Sequence, residues 1–133
     1  MLGHLFGTQA KKKLEWARQI ICQSIGATSS QDILFTSGGT ESINHAIKGA
    51  ALLARSIARK GANNTPKKPA RNHIITSAIE HVAVSQTIQY LEEEFGFEKT
   101  VIPVDKEGRV NINDVVGALQ ENTLLVTIML ANN

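Results

Sequence analysis

Ile33-Leu34-Phe35-Thr36-Ser37-Gly38-Gly39-Thr40-Glu41-Ser42 is the stretch on which the reading of this chain turns. The short apolar run Ile33 to Thr36 predicts a buried strand bounded by turn residues. Ser37-Gly38-Gly39-Thr40 predicts a turn, and a helical pattern opens at Glu41. Two glycines let a backbone come close to a ligand. The first N–H groups of a helix have no acceptor within it and carry the positive end of its dipole. Strand, glycine turn and helix start together make an anion cradle suited to phosphate. The same sequence also fits an α/β unit in which glycine merely permits tight packing. It matches neither the GxGxxG fingerprint nor the P-loop, because no lysine follows the second glycine.

Working outward, Met1 to Gly7 reads as loop and Lys11 to Ile25 as a helix, through Leu14, Ala17, Ile21 and Ile25, with Gly26 closing it. Beyond the cradle, Glu41 to Lys60 predicts a long helix with Ile43, Ala46, Ile47, Ala50, Leu53 and Ile57 on one side. Gly61 to Asn72 is polar and holds two prolines with Lys67, Lys68 and Arg71, an exposed loop. His73 to Ser77 predicts a second strand, Ala83 to Phe95 a helix ended by Gly96, and Thr100 to Pro103 a third strand. Asn111 or Asn113 caps a short helix running to Leu119, and Leu124 to Leu130 predicts a fourth strand. Strand and helix alternate without repeats. The fold class this implies is α/β, a three-layer arrangement with a mostly parallel sheet and helices on both faces.

Composition narrows the function. At 133 residues, 42% hydrophobic and 20% charged, the chain has the make-up of one globular domain. A formal charge of +2 gives no basis for a nucleic-acid or membrane-surface partner. No apolar run reaches membrane-spanning length and the N-terminus lacks a secretory pattern, so the expected compartment is cytoplasmic. Cys22 is the single cysteine, set among Trp16, Ile20, Ile21 and Ile25, and reads as a buried inert thiol. No ligand spacing points to a metal.

In a parallel sheet the ligand lies beyond the carboxyl ends of the strands. Ser37–Thr40, Ser77–His81 and Ala131–Asn133 all fall there. A histidine at that edge, His81, serves as a general base, a metal ligand, a ring stacked on a flat cofactor, or a plain surface residue. Asn132 and Asn133 offer amides to a ligand or form a simple turn.

Three stretches together, Phe35–Ser42, Thr76–His81 and Val126–Asn133, resemble the class V aminotransferase-fold enzymes, the cysteine desulfurases and selenocysteine lyases that use pyridoxal 5'-phosphate. His4-Leu5-Phe6-Gly7 leading into the first helix is similar to their N-terminal region. The resemblance implies that Gly39 and Thr40 hold the cofactor phosphate. It further implies that His81 stacks on the pyridine ring and assists proton transfer, and that Asn133 hydrogen-bonds the phenolic oxygen. It implies a small amino-acid substrate and a homodimer. Residues 1–133 then correspond to part of the large domain of a type I pyridoxal-phosphate transferase, truncated at both ends.

Met129-Leu130-Ala131-Asn132-Asn133 and the polar insert resemble the lyase branch, so the expected activity is conversion of selenocysteine to alanine and selenium. A cysteine desulfurase is the alternative. A non-catalytic phosphate-binding or subunit-interaction module is a third reading. The lysine that forms the Schiff base in the family has no counterpart at a matching motif, which predicts that the chain alone is inactive. Ile43 also stands where relatives carry asparagine. In the family's sheet the first strand stands apart from the next three, so Ile33–Thr36 is expected to leave an open slot beside Leu124–Leu130.

Overall fold

The structure, a computed structural model, describes residues 2–59 and 71–132. Two compact units divide it, residues 1–37 and 38–133. The predicted loop falls outside the described residues except for Arg71 and Asn72, as does Asn133.

The first unit is a helix and an extended tail. Helix α1 spans Leu2–Ser24, so the loop expected over residues 1–7 is helical from Leu2 onward. Glycine lowers helix propensity without ending a helix unless its backbone turns left-handed. Gly26 does so at φ 68°. The Ala27 N–H then reaches back to the Cys22 carbonyl at 2.9 Å and closes the helix. Cys22 is buried, as read from the sequence, and its thiol donates to the Ala27 carbonyl at 3.2 Å.

A single 3-10 turn, Ser30–Asp32, follows, capped by the Ser29 hydroxyl. The strand predicted at Ile33–Thr36 does not form. The segment is extended at Ile33 (φ −92°, ψ 115°) but belongs to no ladder. Arg18 accounts for its conformation. The guanidinium donates to the Ile33 carbonyl and lies 5.4 Å from the centre of the Phe35 ring.

The second unit is a parallel sheet with its helices. Helix α2, Gly39–Arg59, leads to strand β1, His73–Ser77. Helix α3, Val82–Phe95, leads to β2, Glu98–Ile102. Helix α4, Ile112–Gly117, leads to β3, Thr123–Thr127. The order is β2-β1-β3, parallel throughout. Strand β1 is therefore central, and it is buried along its whole length. Among the described residues β3 has no ladder partner on its outer edge, and it ends at Thr127 rather than Leu130. For both crossovers to be right-handed, α3 and α4 take opposite faces.

The core lies on the face shared by α2 and α3. Ile47 and Ala51 of α2 meet Val84, Ile88 and Leu91 of α3 over Ile74, with Phe97 closing one end. Leu53 and Ile57, read as part of the apolar side of α2, are exposed among the described residues. Two cation–aromatic contacts stitch the α2–α3 seam. Lys48 Nζ lies 4.5 Å from the Tyr90 ring centre, and Arg55 lies 5.1 Å from that of Phe95.

On the opposite face His73 is buried and spans all three strands. Its Nδ1 meets Thr123 Oγ1 at 2.9 Å and its Nε2 meets Thr100 Oγ1 at 2.8 Å. One buried polar atom in this unit lacks a partner among the described residues. Thr76 Oγ1 sits beneath the helices with no hydrogen bond. An unpaired buried hydroxyl costs about 1–3 kcal/mol relative to a satisfied one. Thr76→Val is therefore expected to raise the unfolding free energy by about 1 kcal/mol in urea denaturation. A loss of stability of that size would show that the hydroxyl has a partner.

Candidate functional site

The direction of the two helices puts their N-termini at one edge. Arg55, near the end of α2, donates from Nη1 to the Phe95 carbonyl at the end of α3, at 2.7 Å. The same corner holds Asn72, just before β1, and a cavity of about 440 Å³ bordered by Arg59 and Gly96. Both helices therefore end at the amino edge of the sheet and begin at its carboxyl edge. Gly39 and His81 share that edge, which is where a parallel sheet binds its ligand.

Gly38 is the cap of α2. Its carbonyl accepts the first helical bond from the Ser42 N–H at 3.1 Å, and the Ser42 hydroxyl adds a second at 3.3 Å. Gly39 and Thr40 are then the first two helical residues, whose N–H groups point out of the helix start. Gly39 has no left-handed backbone, and a Cβ built on it meets nothing within 4 Å. Neither conformation nor packing calls for glycine here. What glycine leaves is space beside two backbone donors at the positive end of a 21-residue helix. A phosphate group fits that arrangement.

His81 does something the sequence reading did not assign to it. It is the N-cap of α3 (φ −62°, ψ 145°), and its Nδ1 accepts from the Ala83 N–H at 3.0 Å. That bond fixes the tautomer. In the neutral ring the proton sits on Nε2, and the ring is held at a rigid helix start while remaining exposed. His81 thus has one ring nitrogen committed to the helix cap and the rest of its ring exposed.

The turn before His81 is joined to the segment after β3. Glu80 Oε1 accepts from the Ser77 hydroxyl at 2.6 Å and from the Met129 N–H at 2.8 Å. Asn132 Nδ2 donates to the Ile79 carbonyl at 2.6 Å. The second and third of the three stretches singled out in the sequence are in contact. Asn132 is spent on this junction. The role of Glu80 was not read from sequence, although Ser77 and Glu80 stand at the three-residue spacing of reciprocal side-chain pairs.

A helix start that leaves room for an anion and a helix-capping histidine thus share the carboxyl edge of a parallel sheet in an α/β protein. The family follows from comparison. The family model for class V aminotransferases matches residues 2–133, and the chain belongs to that family. It is 45% identical over 130 residues to the cysteine desulfurase IscS of Dictyoglomus turgidum, covering 98% of this chain and 29% of that protein. Among solved structures, DndA from Streptomyces lividans superposes with a TM-score of 0.81 at 35% identity, over 98% of this chain and 32% of that one. A NifS-like protein gives a TM-score of 0.78 at 35% identity, over 95% and 30%. The chain thus spans about a third or less of the relatives it matches.

Proposed function

We propose that this chain supplies the phosphate-holding part of the large domain of a pyridoxal 5'-phosphate enzyme that removes sulfur from cysteine. The observation that carries the reading is the shared edge. The helix start at Gly39, with its unfilled space, and the capped ring of His81 face the same end of the sheet. Relatives named cysteine desulfurase at 41–45% identity favour sulfur over selenium as the atom released. The Met129–Asn133 stretch, which resembles the selenocysteine lyase form, supports selenocysteine as the second reading. An amino-acid substrate and a second copy of the chain as partner belong to the same proposal.

Bound at this edge, pyridoxal phosphate supplies an electron sink for chemistry at the α-carbon of an amino acid. The chain's own residues do the rest. Gly39 and Thr40 hold the phosphate with backbone N–H groups reinforced by the helix dipole. His81, its Nδ1 occupied by the Ala83 N–H, offers a ring face to the pyridine and its Nε2 for proton exchange. Asn133 is the proposed donor to the phenolic oxygen. Lys48 lies over Tyr90 and Lys99 is paired with Glu92, so neither is proposed to bind the cofactor covalently.

Gly39→Ala tests the reading because its effects on stability and binding have opposite signs. The added methyl meets no atom and favours helix, so stability should stay level or rise by up to about 1 kcal/mol. The same methyl occupies the space proposed for the phosphate. Pyridoxal phosphate affinity, measured by absorbance titration, should fall by tenfold or more, about 1.4 kcal/mol. Equal affinity in the two proteins would refute the site.

A further inference from the structure

We propose that Glu80 is the positioning residue of this site. Its carboxylate ties the segment following β3 to the turn that carries His81, so that the two sides of the site are set by one group. The inference rests on the cofactor reading above for what is positioned, and on the geometry alone for the tie itself.

Strand β3 ends at Thr127, and the residues after it have no ladder to hold them. Apolar packing covers Ile128 and Met129 only in part. Ile128 is 38% exposed and Leu130 is fully exposed. What fixes this segment is polar. The Met129 N–H donates to Glu80 Oε1 at 2.8 Å, and the Asn132 amide donates to the Ile79 carbonyl at 2.6 Å. The same Glu80 oxygen accepts from the hydroxyl of buried Ser77, the last residue of β1, at 2.6 Å. Glu80 is thereby anchored to the central strand on one side and grips the outlying segment on the other. Bonds to a carboxylate are shorter and stronger than neutral ones, and an ionised carboxylate accepts without donating, which suits two donors converging on one oxygen.

The next residue in the chain is His81, and the residue following Asn132 is Asn133, the two that the cofactor reading assigns to the pyridine ring and its oxygen. A shift of Glu80 reaches His81 along the chain and the segment after β3 through the Met129 N–H. An acid placed before a helix also interacts with its dipole, but that interaction requires charge and makes no demand on Met129. The amide of glutamine keeps an acceptor oxygen and loses the charge, so it separates the two explanations.

The experiment compares the full chain with Glu80→Ala and Glu80→Gln, following amide hydrogen exchange and pyridoxal phosphate titration. In Glu80→Ala, exchange at the Met129 amide should quicken by roughly tenfold or more while Ile74 and Ile75 stay protected, showing that the sheet is intact. The cofactor Kd should weaken roughly tenfold, and Glu80→Gln should recover most of both effects. Unchanged exchange at Met129 in Glu80→Ala would overturn the proposal. So would faster exchange with an unaltered Kd, because Glu80 would then tie the segment without positioning the site. If the parent chain takes up no pyridoxal phosphate, the cofactor reading fails instead, and the exchange result alone decides whether Glu80 is the tie.

Discussion

Replacing His73 with alanine is expected to lower the unfolding free energy by about 4 kcal/mol, a large share of the 5–15 kcal/mol typical of a domain. The side chain is 1% exposed and bonds a threonine on each flanking strand. Its removal forfeits two hydrogen bonds at about 1 kcal/mol each, and it leaves a ring-sized cavity between β2 and β3. The Thr123 hydroxyl also accepts from the Gln120 N–H at 2.8 Å, so the loss spreads into the turn that starts β3. His73→Phe keeps most of the volume and none of the bonds, and should cost about half as much. Urea denaturation of the three proteins measures both values. Equal stability of His73→Phe and the parent would mean that packing alone, without the threonine bonds, holds this position.

The second large effect separates two jobs carried by one residue. His81 caps α3 through Nδ1 and is proposed to stack on the cofactor through its ring. Asparagine caps a helix well but has no ring. His81→Asn should therefore leave stability within about 0.5 kcal/mol of the parent. Its pyridoxal phosphate affinity should fall by about tenfold or more, in line with the 1–3 kcal/mol of an aromatic stack. His81→Ala removes cap and ring together, adding a stability loss of about 1 kcal/mol to the same loss of affinity. Thermal denaturation and cofactor titration on the same samples give both readings. If His81→Asn binds pyridoxal phosphate as tightly as the parent, His81 is a helix cap and not a cofactor residue.

Both effects bear on how the site is assembled. Gly39 and His81 open separate helices, and neither is placed by the other. They share an edge because Ile47 and Ala51 pack on Val84, Ile88 and Leu91, which sets the two helices side by side. The cavity of about 440 Å³ lies at the opposite edge, between the helix ends. It is not the proposed site: the α2 dipole directs its negative end there, and the residues proposed to hold phosphate are elsewhere.

Features that depend on neighbours a few residues away were legible in the sequence. Gly26 and Gly96 end their helices with left-handed backbones, and Asn111 caps the short α4 through the Asn113 N–H. The turn before Val110 closes on Gly108, with Asp105 accepting from Glu107 and Arg109. The alternation of strand and helix, and with it the parallel sheet, followed from periodicity and from these stops. The family resemblance rested on short stretches for the same reason. Their residues carry the pattern locally.

What the tertiary structure decided depends on partners far away in the chain. Ile33–Thr36 has the composition of a strand, but a strand exists only with a ladder partner, and Arg18 satisfies the Ile33 carbonyl instead. Leu53 and Ile57, read as the apolar side of α2, lie exposed because at 3.6 residues per turn they stand about 120° and 80° round the helix from Ile47, off the face that packs. The histidine bridge joins residues 27 and 50 apart, and the Glu80 tie joins residues 49 apart. No local pattern encodes such distances. By itself the sequence determined the three strands that pair, the helices between them and which residues could serve chemistry. Only the tertiary structure decided what ties that edge together, Glu80 accepting from Ser77 and Met129 and His81 capping α3, because which donors face a side chain depends on which apolar faces bury one another.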